Sequence, residues 1–174
     1  VAFVLSVTLG VSAVPVFAEG NPFTQSVVAA AAEEDVIAAF YQQRDYRTLW
    51  TGPADAARRA ALLAALDGAG AHGLPVARYD AGALAQAIRA ARTEGDLGRL
   101  EFALTRAFLA YARDVHSGVL EPAKVDAGIL REVTHDDPMA LLKGFESSDP
   151  AAFLRALPPQ WPEYARLMKE KIDL

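Results

Sequence analysis

The chain offers three histidines and no cysteine as candidates for nucleophilic or metal chemistry. Without cysteine, a thiolate nucleophile, a disulfide and any cysteine-based metal site are excluded. His72, His116 and His135 are far apart in the sequence, and none forms the i, i+4 pair that places two imidazoles beside one zinc ion. His135 precedes Asp136 and Asp137, but Asp137 stands where a helix cap is needed. We therefore expect no metal site and no cofactor.

A carboxylate pair for glycan hydrolysis is the second chemistry to consider, because such enzymes need two acids facing each other across a cleft. Glu101 lies between Leu100 and Phe102 on a predicted long helix. It is one position off the apolar stripe of that helix, so we expect its side chain at the edge of the stripe or in water. The sequence does not favour a hydrolase, and no catalytic residue is predicted.

Aromatic residues near the start of the chain could form a binding surface. Phe40, Tyr41, Tyr46 and Trp50 could line a groove for glycan or peptide, because flat rings stack on sugar faces. Aromatic residues at helical spacing more often pack in the core or under loops. We favour packing, with Tyr46 and Trp50 as the expected exceptions.

Two arginine–aspartate neighbours could serve as contacts. Arg113 and Asp114 could touch a further domain, and Arg44 stands next to Asp45. A solvated or helix-capping charge pair explains them equally well, and exposed pairs contribute only about 0–1 kcal/mol. We favour a structural role for both pairs.

Composition limits the chain to one ordinary domain and to a subset of partners. It has 174 residues, 52% of them hydrophobic, and alanine supplies much of that share, which favours helices. The net charge is −5 and the acids and bases are interleaved. A nucleic-acid partner is therefore not expected, since binding phosphates requires a concentrated basic surface.

The N-terminal residues are typical of an export signal. Residues 1–18 carry no charged side chain and end in Val16-Phe17-Ala18, with small side chains at the positions that a signal peptidase reads. We predict a signal peptide over residues 1–18, with its basic n-region missing, and a periplasmic location. An uncleaved segment would instead anchor the protein in the membrane, although it is borderline in length.

The rest of the chain predicts a bundle of helices. Residues 19–32 read as a lead-in in which 29–32 start the first helix, and residues 33–174 form the helical domain. One long apolar stripe has members three or four positions apart: Leu97, Leu100, Leu104, Phe108, Tyr111 and Val115. No alternation typical of strands is present. We predict an all-α fold, a compact bundle of about six to eight helices.

Particular residues are predicted to mark the helix boundaries. The predicted N-terminal caps are Asp55, Asp80, Asp96, Asp137 and Asp149, the last two followed by proline. Gly68 is predicted as a left-handed C-terminal cap, and Gly118 is predicted to end the long helix. A short helical turn is predicted from Glu121-Pro122, and the last helix from Trp161-Pro162.

Four segments together resemble the N-terminal scaffold domain of periplasmic murein L,D-transpeptidases of Gram-negative bacteria. The first fits that family's F-Y-x-x-R-x-Y-x-x-L-W opening. In the family's order, the segments are Phe40-Tyr41 with Arg44, Tyr46, Leu49 and Trp50; His72-Gly73-Leu74-Pro75 with Tyr79; Leu104-Thr105 with Tyr111-Ala112-Arg113-Asp114, Gly118 and Pro122; and Pro158-Pro159 with Pro162, Tyr164 and Leu167.

The resemblance implies a supporting role in cell-wall remodelling. In that family the scaffold precedes a peptidoglycan-binding module and a catalytic domain, which uses a cysteine nucleophile in an S-x-G-C-x-R motif with a partner histidine. This sequence has no cysteine. The expected partners are those two domains, normally in the same chain, and peptidoglycan itself. The chain would be a fragment, a truncated gene product or a stand-alone scaffold; alternatively it is a peptidoglycan- or partner-binding module.

The resemblance and the residue types select one set of candidate interaction residues: Phe40, Tyr41, Arg44, Tyr46, Trp50, Tyr111, Arg113, Asp114 and Tyr164. A scaffold should also expose an apolar patch where its neighbours dock. We expect that patch on the last helix, residues 164–172, provided that its apolar exposure is more than scattered.

Overall fold

Helices make up the regular structure of the described residues. The computed structural model describes residues 20–120 and 134–172, with side chains as far as residue 170. The helices in this part of the chain are α1 (Pro22–Ala30), α2 (Asp35–Gln43), α3 (Ala56–Asp67), α4 (Ala81–Ala90), α5 (Glu94–Ser117), α6 (Pro138–Ser147), α7 (Pro150–Ala156) and α8 (Pro162–Ile172). Short 3-10 segments occupy Pro53–Asp55, Gly68–His72 and Val76–Arg78. The described residues include no strand, which confirms the all-α prediction.

Three of the predicted aspartate caps are confirmed. The side chain of Asp80 accepts a hydrogen bond from the Ala83 N–H at 2.9 Å at the start of α4. Asp137 and Asp149 cap α6 and α7 in the same way, each with proline at the first helical position. At each of these starts the aspartate pairs one main-chain N–H of the first turn. The proline has no N–H to leave unpaired, and its ring fixes φ near the helical value.

The long helix starts earlier than predicted. Thr93, not Asp96, is its cap: the Thr93 hydroxyl accepts from the Asp96 N–H at 3.1 Å, and Asp96 accepts from the Thr93 N–H at 3.0 Å. This reciprocal pair is a capping box, in which an acid at the third helical position serves the cap. The Thr93 amide, with the Arg92 amide, holds the pKa of Asp96 well below its usual range.

Two further boundary predictions were wrong. Asp55 makes no side-chain cap on α3; its carboxylate instead accepts from the Gly52 N–H at 3.0 Å and from Arg58 at 2.6 Å. Gly68 has a φ of −76°, because α3 tightens directly into the 3-10 segment instead of reversing. The left-handed residue is Gly73, with a φ of 76°.

The predicted lead-in contains a helix of its own. The sequence placed a helix start at residues 29–32, but α1 ends there and begins at Pro22, capped by Asn21, which accepts from the Thr24 N–H at 2.9 Å. Phe23 and Val27 are buried on one side of α1, which packs along the first half of α5. With only these two large apolar residues buried in α1, its helical stripe was too short to detect.

Helix α5 lies at the centre of the core. The predicted stripe is buried from Leu100 to Val115, and Leu97 is partly buried. Rings from other elements surround Phe108 at its middle: Trp50 at 5.9 Å between centroids, Phe145 at 4.7 Å and Phe153 at 6.2 Å. Gly118, with a φ of 83°, ends the helix as predicted.

Two predictions fall on residues that the structure does not describe: the signal segment at residues 1–18 and the turn at Glu121-Pro122. Of the helices in the described ranges, none is long and apolar enough to cross a membrane.

We predict that Gly98→Ala destabilises the fold by about 2 kcal/mol through overpacking. Gly98 is buried where α1 crosses α5, and an added Cβ would collide with the Phe23 carbonyl oxygen and lie 2.8 Å from the Cβ of Ser26. Thermal and denaturant unfolding measure the loss. Gly68→Ala is the matched control: an added Cβ there meets nothing within 4 Å, so its stability should stay within about 1 kcal/mol of the parent. Equal stability of both variants would contradict the close helix approach.

Candidate functional site

A buried carboxylate, Glu101, holds the loop that follows α2 against α5. Its Oε1 accepts hydrogen bonds from the Tyr41 hydroxyl at 3.0 Å, from the Trp50 N–H at 3.1 Å and from the Leu49 N–H. Its Oε2 accepts from the N–H of Thr51 at 2.9 Å and from its hydroxyl at 2.7 Å. The expectation that Glu101 points to the edge or to water was wrong, because this loop covers the helix at that position.

Thr105, one turn further along α5, completes the same polar centre. Its hydroxyl lies 2.6 Å from the Tyr41 hydroxyl and accepts from the indole N–H of Trp50 at 2.8 Å. Burial, and then the negative charge of Glu101, raises the pKa of Tyr41 well above its usual value. Tyr41 therefore keeps its proton and remains a donor. Glu101, Thr105, Tyr41 and Trp50 are buried, Thr51 is partly buried, and these groups satisfy one another, so the centre holds the structure together.

The aromatic candidates pack inside the protein. Phe40, Tyr41 and Trp50 are buried, so Trp50 is not the exception that we expected. Tyr46 is half-buried and has a φ of 54°, directly after Asp45 with a φ of 52°. Two consecutive left-handed residues turn the chain sharply after α2. This turn returns the chain to α5, where the Trp50 ring packs against Phe108 and Phe145.

Arg44 is also nearly buried and joins α2 to α6. Its guanidinium lies 4.9 Å from the centroid of the Phe40 ring, donates to the Thr48 carbonyl at 2.8 Å and lies 3.2 Å from the Glu146 carboxylate. Arg44 therefore has the structural role that we favoured, but its ion-pair partner is Glu146 and not the adjacent Asp45.

A second buried carboxylate, Asp114, lies near the other end of α5. It accepts a hydrogen bond from the Tyr79 hydroxyl at 2.9 Å. It also forms ion pairs with Arg78, whose Nε lies 2.7 Å away, and with Arg113 at 3.2 Å. Burial, and then the hydrogen bond to Asp114, raises the pKa of Tyr79 well above its usual value. The interpretation of a solvated or capping pair was wrong for Asp114. Tyr111, also buried, meets the Tyr79 ring edge-on at 5.9 Å.

Tyr164, the last candidate, attaches α8 to the 3-10 segment after α3. Its hydroxyl lies 2.7 Å from the Nδ1 of His72, and the two rings are stacked with centroids 6.2 Å apart. Leu167, in the middle of α8, is 65% exposed, and Trp161, which directly precedes the helix, is 71% exposed. Leu167 is the one exposed large apolar side chain among the described residues of this helix, so its apolar exposure is scattered and the docking patch expected there is not found.

The structure does not gather the candidates into one site. It divides them between the Glu101 centre, the Asp114 cluster and the attachment of α8. The family model of the scaffold domain matches residues 35–170, from the first residue of α2 almost to the end of α8. The chain belongs to the scaffold domain family. No curated protein and no solved structure matches it.

The end of α5 in this scaffold domain brings together a serine and two histidines. The Nδ1 of His135 lies 2.9 Å from the Ser117 hydroxyl, and the Nδ1 of His116 lies 3.7 Å from Asp136. The Ser117 hydroxyl also donates to the Arg113 carbonyl at 2.7 Å, a contact with the preceding turn that serines in helices often make. Among the residues described, no three ligand side chains are grouped as a metal ion would require.

The residues of the scaffold domain that sequence reasoning missed are mainly Glu101 and Arg78. A signal for Glu101 was present: Glu101 and Thr105 are polar, four positions apart, and therefore on one side of a helix that is otherwise apolar there. Arg78 carried no comparable signal, because only the folded chain places it beside Asp114.

We predict that Glu101→Gln lowers the free energy of unfolding of the scaffold domain by about 3 kcal/mol, since an amide NH₂ would face N–H donors that now meet a carboxylate oxygen. Denaturant unfolding measures the loss, and the near-ultraviolet circular dichroism of Trp50 reports the loop. Glu94→Gln, at an exposed position of the same helix, is the control and should change stability by less than about 1 kcal/mol. A Glu101→Gln protein as stable as the parent would show that the loop is held by other contacts.

Proposed function

We propose that this scaffold domain supports and orients the catalytic domain of an L,D-transpeptidase-like protein that cross-links peptidoglycan in the periplasm. The observation that carries the proposal is where the motif residues lie. Tyr41, Leu49, Trp50 and Thr105, which carry the resemblance to the scaffolds of those enzymes, all meet at the Glu101 centre. A sequence pattern that specifies a packed interior rather than an open cleft suits a supporting module.

Chemistry also favours support over catalysis. Acyl transfer between stem peptides requires a nucleophile activated by a base. The sequence contains no cysteine. Glu101 and Asp114 are both buried and satisfied. The catalytic and peptidoglycan-binding domains of the same protein are the partners that this assignment implies.

We predict that the purified chain neither joins nor cuts muropeptides, because its sequence has no cysteine to form an acyl intermediate. Muropeptide analysis by chromatography measures both activities.

Turnover by the purified chain alone would refute the supporting role.

The alternative is a module that itself binds peptidoglycan or a partner. Retention of the mature chain on purified sacculi tests it, since a purely supporting domain should stay in the supernatant. A groove along α5 gives this alternative a specific location.

A further inference from the structure

A groove beside the exposed side of α5 collects three arginines. Arg106 and Arg113 are seven positions apart on α5, which places them on one side of the helix, and Arg78 reaches the same side from its 3-10 segment. The groove contains a cavity of about 570 Å³ between α2, α5 and α6. Its apolar lining is Val36, Ile37, Leu109, Ala110, Pro138 and Leu141. A second cavity, of about 540 Å³, extends past Arg78 and Arg106 toward α4.

Asp114 positions two of these arginines. Its buried carboxylate lies 2.7 Å from the Nε of Arg78 and 3.2 Å from Arg113, whose side chains remain 44% and 52% exposed. The Tyr79 hydroxyl donates a hydrogen bond to the same carboxylate. One negative charge thus fixes two positive ones, and their remaining N–H groups are accessible from the groove. Arg106 is exposed and has no ion pair with any residue in the described ranges.

Acidic side chains line the same cavity from other elements. Glu33, Glu34 and Asp35 stand at the start of α2, and Asp136, with His135, precedes α6. Three arginines and four acidic residues therefore line one cavity. A polyanion such as a nucleic acid or polyphosphate would be repelled by the acids. A ligand carrying both signs of charge would be matched.

We propose that this groove binds a short zwitterionic peptide, with its free carboxylate at Arg78, Arg106 and Arg113 and its ammonium group at Glu33, Glu34 and Asp35. The volume of the main cavity is typical of sites for small ligands and suits a few residues, not a folded domain. Arginine is the preferred partner of a carboxylate because its planar fork donates two parallel hydrogen bonds. The proposal holds whether or not the domain also supports a catalytic partner.

The test is a calorimetric titration of the chain with a synthetic tetrapeptide that has one lysine and a free carboxyl terminus. We expect saturable binding that weakens as salt rises. Arg106→Ala should bind roughly tenfold more weakly, because it loses a charge-assisted hydrogen bond. Glu34→Gln should also bind more weakly, and so should the parent chain when the peptide is amidated at its carboxyl terminus.

The matched control is Arg89→Ala, an exposed arginine on α4 outside both cavities, which should bind like the parent. Unfolding curves of all variants should coincide, since each altered side chain is exposed. The proposal is overturned by unchanged affinity in Arg106→Ala, by an equal loss in Arg89→Ala, or by no saturable binding at millimolar peptide. It is also overturned if Arg106→Ala weakens only capture of a folded catalytic domain, because the groove would then be a protein interface.

Discussion

A carboxylate removed from water must have its oxygens satisfied, and this requirement at Glu101 shapes the first half of the fold. Burying an ionised group costs several kcal/mol unless hydrogen bonds replace its hydration. No arginine or lysine pairs with Glu101 among the described residues. Consecutive main-chain amides of residues 49–51 and two hydroxyls serve instead. The three amides can all point at Glu101 in only one conformation of the loop, so the buried charge determines the backbone conformation of residues 49–51.

The fixed loop then connects distant parts of the chain. With its backbone held at Glu101, Trp50 places its ring 5.0 Å from Phe145 of α6 and its indole N–H on Thr105. Arg44, at the start of the same loop, reaches Glu146. The loop therefore packs against both α5 and α6. The packing of α6 depends on a carboxylate with which it has no hydrogen bond.

Sequence reasoning succeeded where the signal was local and failed where another segment changed the environment. The Asp-Pro helix starts and the α5 stripe were readable because a cap or a helical face is set by residues a few positions apart. Glu101 was misplaced because periodicity assigns a residue to a face of its own helix and says nothing of a loop that covers that face. That loop depends on left-handed backbone at Asp45 and Tyr46, residue types that do not by themselves require it.

The two buried acids of α5 explain why the candidate ligand site lies at one end of the helix and not at the other. Glu101 is itself buried and is satisfied by main-chain amides and by the hydroxyls of Tyr41 and Thr51, so its charge is neutralised by dipoles inside the protein. Asp114 is completed by the side chains of Arg78 and Arg113, which are long enough to bind it and still reach solvent. Because two arginines share one buried carboxylate, a net positive charge remains at the surface. Two different solutions to burial therefore yield a rigid core at Glu101 and a positioned cationic surface at Asp114.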